Sequence, residues 1–126
     1  LGLSLSATDY QRILLIRHAF CGEVRAVFDD IDVLVVPAQG TASPTEKNVK
    51  EGRLDPKAWR AMGMSRFTSP FDFTGSPTVT MQSGFTRGGM PIAIQFVGRH
   101  FEEDLLVRAG HAYQRETDWH NEHPAI

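Results

Sequence analysis

Apolar positions in this chain fall into two patterns, a three-to-four-residue recurrence at each end and short continuous runs between. Tyr10, Ile13, Leu14, Cys21, Val24 and Phe28, with the stem of Arg17, recur at steps of three and four. This predicts one face of a helix over residues 9–29, about 30 Å long. Leu15, Ile16 and Phe20 widen the stripe, so the helix is expected to bury more than one side. Thr8 and Gln11 have the spacing of a capping box at its start. Near the other end, Leu105, Leu106, Ala109, Ala112 and Tyr113 predict the apolar face of a second helix over 101–116. Its acidic residues, Glu102, Glu103 and Asp104, sit at the positive end of the helix dipole, with Arg115 near the negative end.

Three runs lack the helical period. Val33-Leu-Val-Val36 is continuous and rich in β-branched residues, which predicts a strand covered on both faces. Val79–Met81 and Ile92–Val97 each follow a proline closely. Pro77 and Pro91 suit a strand's first position, where a missing N–H does least harm to the ladder. Between them, Gly84, Gly88 and Gly89 can take positive φ in a turn or bulge. Strand, turn, strand in that order predicts an antiparallel hairpin. From 38 to 57 the chain turns polar, broken by Pro44, Gly52 and Pro56, and is expected to be a loop. Asp55 and Pro56 then suit the cap and first position of a short helix ending near Gly63.

Composition narrows the class. The 126 residues are 41% hydrophobic and 22% charged with net charge −2, as for one soluble domain of residues 1–126. That charge gives no case for nucleic acid or an anionic membrane surface. No run approaches the length of a membrane span, and Leu1–Ser6 does not read as a signal peptide. The single cysteine, Cys21, excludes an internal disulfide framework and points to a reducing, cytoplasmic setting.

The stretch from Arg66 to Gly98 carries a more specific pattern in Phe67, Thr68, Pro70, Phe71, Gly75, Pro77, Gly84, Phe85, Gly89, Pro91, Gln95 and Gly98. It resembles the C-terminal part of the amidase signature family. The likeness extends upstream to Asp32–Pro37 and downstream through Arg99, Phe101, Glu102, Glu103, Leu105 and Leu106 to Trp119, His120 and Pro124. Asp72 stands where the family usually has Asn, and Gln82 where a second proline commonly follows the strand. The resemblance implies an α/β fold, the closing part of a mixed-sheet domain, in which a small mixed sheet carries flanking helices. It also implies hydrolysis of a carboxylic amide by a serine nucleophile, a second serine on a cis peptide and a lysine base, with no cofactor. Backbone N–H groups of a Gly-Ser stretch would form the oxyanion hole.

None of those catalytic groups can be placed here. The serines, at 4, 6, 43, 65, 69, 76 and 83, form no Gly-Gly-Ser-Ser cluster, and Lys47, Lys50 and Lys57 lie in the most polar segment. A base lysine needs desolvation to lower its pKa. The expectation is a C-terminal piece, in keeping with a first residue that is not Met, and inactive alone. Its partners would be the N-terminal part of the same enzyme, or copies of itself. The alternative is a non-catalytic interaction module that kept the half-fold.

Candidate substrate contacts are Arg66, Phe67, Thr68 and Asp72, where polar groups interrupt an apolar approach to the hairpin. The resemblance also puts this region beside the substrate. The plainer reading is a loop in which Thr68 caps backbone and Arg66 pairs with Asp72. Gln95, between Ile94 and Phe96, is expected to hydrogen-bond structurally. Two rivals carry less. His18 and Cys21 lie three apart on a helix, but Cys21 falls in the apolar stripe, where thiols are inert packing. His120, His123 and Asp118 offer too few ligands for a metal.

Overall fold

The computed structural model describes residues 4–41, 43–61 and 63–123. Helix α1, Ala7–Val27, opens the chain. Its cap is Ser6 rather than the expected Thr8: the Ser6 hydroxyl accepts from the Asp9 N–H at 3.1 Å and donates to the Asp9 carboxylate at 2.6 Å. Ser6-x-x-Asp9 offers the same spacing two residues earlier, so the helix gains half a turn and Thr8 lies inside it.

Strands β1 (Leu34–Pro37), β2 (Thr78–Phe85) and β3 (Pro91–Val97) form one sheet in the order β1-β3-β2. The mixed α/β class holds, and among the described strands every pairing is antiparallel. The hairpin forms as expected, with Pro91 as the first residue of β3 and Pro77 just before β2. Its turn is closed by the Thr86 N–H on the Met90 carbonyl at 2.8 Å, and Gly89 takes φ +77°. Strand β1 departs from the expectation of burial on both faces: Leu34 and Val36 are half-buried, while Val35 is 55% exposed. It is an edge strand here, and α5 (Glu103–Glu116) packs on β2 and β3.

Two layers flank the sheet. On one face Val97 meets Phe28 and Phe71, with Val24, Ile31, Leu34 and Val36 packed around them. On the other, the Phe96 ring stands edge-on to Tyr113 at 5.8 Å, and Leu106, 1% exposed, fills the space beside Gly98. A Cβ on Gly98 would lie 3.1 Å from Leu106 Cγ, so any larger residue there would have to push that side chain back by a few tenths of an ångström. Ala112, expected on the buried face of α5, is exposed. Gly110 is buried instead, facing Met81 and Val79.

Two further departures concern short helices. The segment expected to be loop from 38 to 57 contains α2, Glu46–Leu54. Thr45 and Asn48 form a full capping box, with the Asn48 N–H on Thr45 Oγ1 at 3.2 Å and the Thr45 N–H on Asn48 Oδ1 at 3.3 Å. Helix α3, Pro56–Ala61, follows as expected, its start held by the Lys57 N–H on Asp55 Oδ1 at 2.9 Å. The lead-in to the hairpin winds into α4, Ser69–Thr74, with proline in its first turn and Gly75 ending it at φ +76°.

The expected burial of α1 on more than one side does not occur. No residue of α1 is buried, and Leu15 and Ile16 are 69% and 59% exposed. It rests on α4, where the Arg17 side chain donates to the Phe73 carbonyl at 2.8 Å and Phe20 meets Phe73 at 6.0 Å, and its Val24 reaches the core around Val97. Of the closing tail, Trp119 packs edge-on against Phe85, and Pro124 lies outside the described residues. No helix among the described residues is long and apolar enough to cross a membrane.

Candidate functional site

The sheet ends in a cleft where β1 stops and the hairpin begins. The Ala38 N–H still bonds the Ala93 carbonyl at 2.9 Å, after which the chain leaves the sheet and the Gly40 N–H reaches the Gly63 carbonyl at 3.1 Å. A Cβ on Gly40 would sit 2.8 Å from that carbonyl oxygen, so only glycine allows this crossing. The crossing brings the segment after Gly63 over the sheet. Between the two lies a cleft of about 800 Å³, walled by residues 37–41 on one side, Met64 and Thr68 on another, and residues 80–83 and 91–94 below.

The four residues singled out from sequence do not share one cavity. Thr68 lines the cleft above. It also starts α4, its carbonyl accepting from the Phe71 and Asp72 N–H groups, but its hydroxyl makes no capping bond. Arg66 is exposed, stacks over the Phe67 ring at 5.8 Å, and lines a separate shallow apolar cleft of about 570 Å³ with Ile16, Phe20 and Phe73. Phe67 is half-buried and Asp72 exposed, and neither lines these two clefts. Among the described residues no ion pair joins Arg66 to Asp72, since their spacing puts the guanidinium over Phe67 instead.

At the other end of the sheet a smaller cavity, about 380 Å³, lies between α1 and the start of α5. Cys21 lines it and is half-buried, while His18 is exposed. Arg99 also lines it and acts as a clamp. Its NH2 group donates to the Phe28 and Ile31 carbonyls at 2.6 and 3.0 Å, and its NH1 group to Asp32 and Glu102 at 3.3 and 3.2 Å. The hydrogen bond to Glu102 and the two carboxylate charges raise the guanidinium pKa above its already high ordinary value, partly offset by desolvation. This clamp was not foreseen, because its carbonyl partners lie about seventy residues away in sequence.

Three features bear on chemistry. Lys47 and Lys50 are exposed and paired with Glu51 and Glu46 in turn-to-turn ion pairs, the opposite of a desolvated base. No group of three or more His, Cys, Asp or Glu side chains is gathered as for a metal among the described residues. Two buried side-chain atoms lack any hydrogen-bond partner among the described residues, Gln82 Nε2 and Gln95 Oε1. Gln95 is 4% exposed, so the expected structural hydrogen bond to its oxygen is not made here. Unpaired buried amide atoms are uncommon enough to call for an explanation.

A three-stranded antiparallel sheet flanked by helices, with a cleft beyond the end of β1, defines a small mixed α/β unit. The amidase family model matches residues 2–107, and the chain belongs to that family. It is 39% identical over 125 residues to a putative amidase AmiD of Mycobacterium tuberculosis, covering 99% of this chain and 26% of that protein. An amidase of Pseudomonas putida is 33% identical over 129 residues, with coverage of 100% and 27%. The crystal structure of a glutamyl-tRNA(Gln) amidotransferase chain from Thermotoga maritima superposes with a TM-score of 0.68 at 22% identity, over 80% of this chain and 21% of that one. The chain thus spans about a quarter of the length of the relatives it matches.

Proposed function

We propose that these residues are the C-terminal part of an amidase that hydrolyses a carboxylic amide to the acid and ammonia or an amine. The Ser-Ser-Lys machinery lies in the preceding part of the protein, and this chain supplies scaffold and one wall of the substrate pocket. One observation carries the reading: the family match spans most of the chain but a quarter of its relatives, and Lys47 and Lys50 are held in solvent-exposed ion pairs. A lysine that serves as general base for a serine is desolvated, and an exposed, ion-paired lysine is not.

In this reading the cleft beside Thr68 receives the acyl part of the substrate, and Arg66 with Phe67 forms the rim toward α1. Asp72 stands further out on α4. The protein works in the cytoplasm, and the exposed faces of β1 and α1 are covered by the N-terminal part or, in its absence, by a second copy. Incubating the 126-residue chain and the full-length protein with a panel of simple amides, and measuring released ammonia, tests this. Turnover by the full-length protein and none by the chain is expected. Turnover by the chain alone, surviving replacement of Lys47, Lys50 and Lys57, overturns it. A non-catalytic module predicts no turnover by either.

A further inference from the structure

The segment between Gly40 and Gly63 leaves the body of the protein and returns to the same point. The Gly40 N–H donates to the Gly63 carbonyl at 3.1 Å, and Gly63 takes φ +65°. Between these glycines the chain builds α2 and α3, which among the described residues pack chiefly on each other. Both feet of the excursion stand on the rim of the cleft. Thr41 and Ser43 line it before α2, and Met64 lines it directly after the neck, while no described residue of α2 or α3 does. Helix α2 is held by local devices: the Thr45–Asn48 capping box and two turn-to-turn ion pairs, Glu46 with Lys50 and Lys47 with Glu51. All four charged side chains are exposed and share one side of the helix. Burying four charges in an interface would be costly, so that side stays in water whatever else the whole protein adds.

We propose that α2 and α3 form a lid on the cleft, turning about the Gly40–Gly63 neck and setting the largest acyl group that the cleft admits. The proposal rests on the amidase reading, since it takes the cleft as the acyl site. A helical pair with its own cap and ion pairs, tied to the body by two passes of backbone, belongs to the low-stability end of a fold. Elements that move over sites are drawn from that end. Turning such a pair needs backbone changes at only a few residues. Gly63, already at φ +65°, can absorb them without the strain that a Cβ would bring. With both feet on the rim, rotation at the neck moves the helices relative to the mouth. The lid contributes no reacting group; closed, it excludes water and acyl groups too large to fit beneath it.

The test replaces residues 44–61 of the full-length protein by Gly-Ser-Gly, a link that the touching neck allows, and compares acetamide with 3-phenylpropanamide. Excision should raise kcat/KM for the larger amide over the smaller about tenfold, the scale on which a pocket sorts substrates by size. Tm should stay within about 4 °C of wild type. Gly40→Ala puts a Cβ 2.8 Å from the Gly63 oxygen, which forces the neck apart, and should shift the preference the same way by less. An unchanged preference in the folded variants overturns the proposal. So does a collapse of Tm on excision, which would make the helices part of the packed body. Hydrogen exchange gives a readout that needs no substrate. The α2 and α3 amides should exchange together, about a hundredfold faster than those of β3, and Gly40→Ala should speed them further with β3 unchanged. Protection equal to β3, or no response to Gly40→Ala, overturns the lid. If wild type turns over neither amide, the amidase reading fails by itself and exchange decides the lid.

Discussion

Helices α1 and α5 show two ways of carrying an apolar stripe. Helix α5 is 14 residues long and has a partner for it: Leu106 is sealed against Gly98, Tyr113 meets Phe96, and Gly110 lets the helix approach Met81. Helix α1 is half as long again, 21 residues, and buries none of them. The difference does not lie in helix-forming tendency. It lies in what the described residues supply: a complementary surface for the α5 stripe, and for the α1 stripe only the side toward α4 and Val97. Amphipathic pattern announces that a face will be covered and is silent about which part of the chain covers it.

The largest effect should come from cutting into the sealed side. Leu106→Ala removes a fully buried side chain whose neighbour, Gly98, cannot swell to fill the gap. It should cost about 2–5 kcal/mol in chemical denaturation of the full-length protein. A loss below 1 kcal/mol would mean that α5 is no better packed than α1.

Second comes the clamp that joins the two sides. Arg99→Met strips the Phe28 and Ile31 carbonyls of their donor at the end of α1 and leaves Asp32 and Glu102 unpaired. A clear drop in Tm is expected. The pH dependence has a definite sign. A raised guanidinium pKa contributes stability that is complete below the unfolded-state value and fades only as pH rises through the folded value, beyond the range where the protein can be handled. The gap in Tm between wild type and Arg99→Met should therefore hold steady from neutral pH to about pH 10. A gap that closes on going alkaline would argue against a charged clamp.

Gly110→Ala comes third. Alanine favours the helix by about 1 kcal/mol over glycine, but its Cβ would lie 3.2 Å from the Met81 sulfur. The thioether is flexible and can yield a few tenths of an ångström. The two terms offset, and a net change within about 1 kcal/mol in urea melts is expected.

The pattern of success in reading the chain follows from range. The hairpin was legible because its signals are local: Pro77, Pro91, Gly89 and two β-prone runs. The class of fold and the α5 face were legible for the same reason, Ala112 aside. Helix α2 was hidden by its own polarity, although Thr45-x-x-Asn48 is a capping signal that could have revealed it. Helix α4 was hidden because Pro70 and Gly75 look like loop punctuation until they are seen to mark the first turn and the end of a six-residue helix. The site was less legible. Arg66 and Thr68 are neighbours in sequence but face different clefts, since positions two apart at a helix start do not share a face. The cleft joins residues 37–41 to Met64, Thr68 and the hairpin, and no local pattern states a meeting of segments so far apart in sequence.

The smallest effect in this chain should be on the unpartnered side, and it bears directly on the contrast between the helices. Leu15→Ser changes a residue that is mostly in water here, so the 126-residue chain should shift by no more than about 0.5 kcal/mol. If the preceding part of the amidase covers this face, the same substitution there leaves a hydroxyl in an apolar interface and should cost about 2–3 kcal/mol. The measurement is therefore a difference: urea melts of both lengths, with and without Leu15→Ser. A small effect at both lengths would mean that the α1 stripe stays in solvent in the whole protein, and the distinction between a covered and an uncovered helix would have to be sought elsewhere. A large effect at both lengths would mean that copies of the short chain already pair through α1, which a concentration-dependent melt would show.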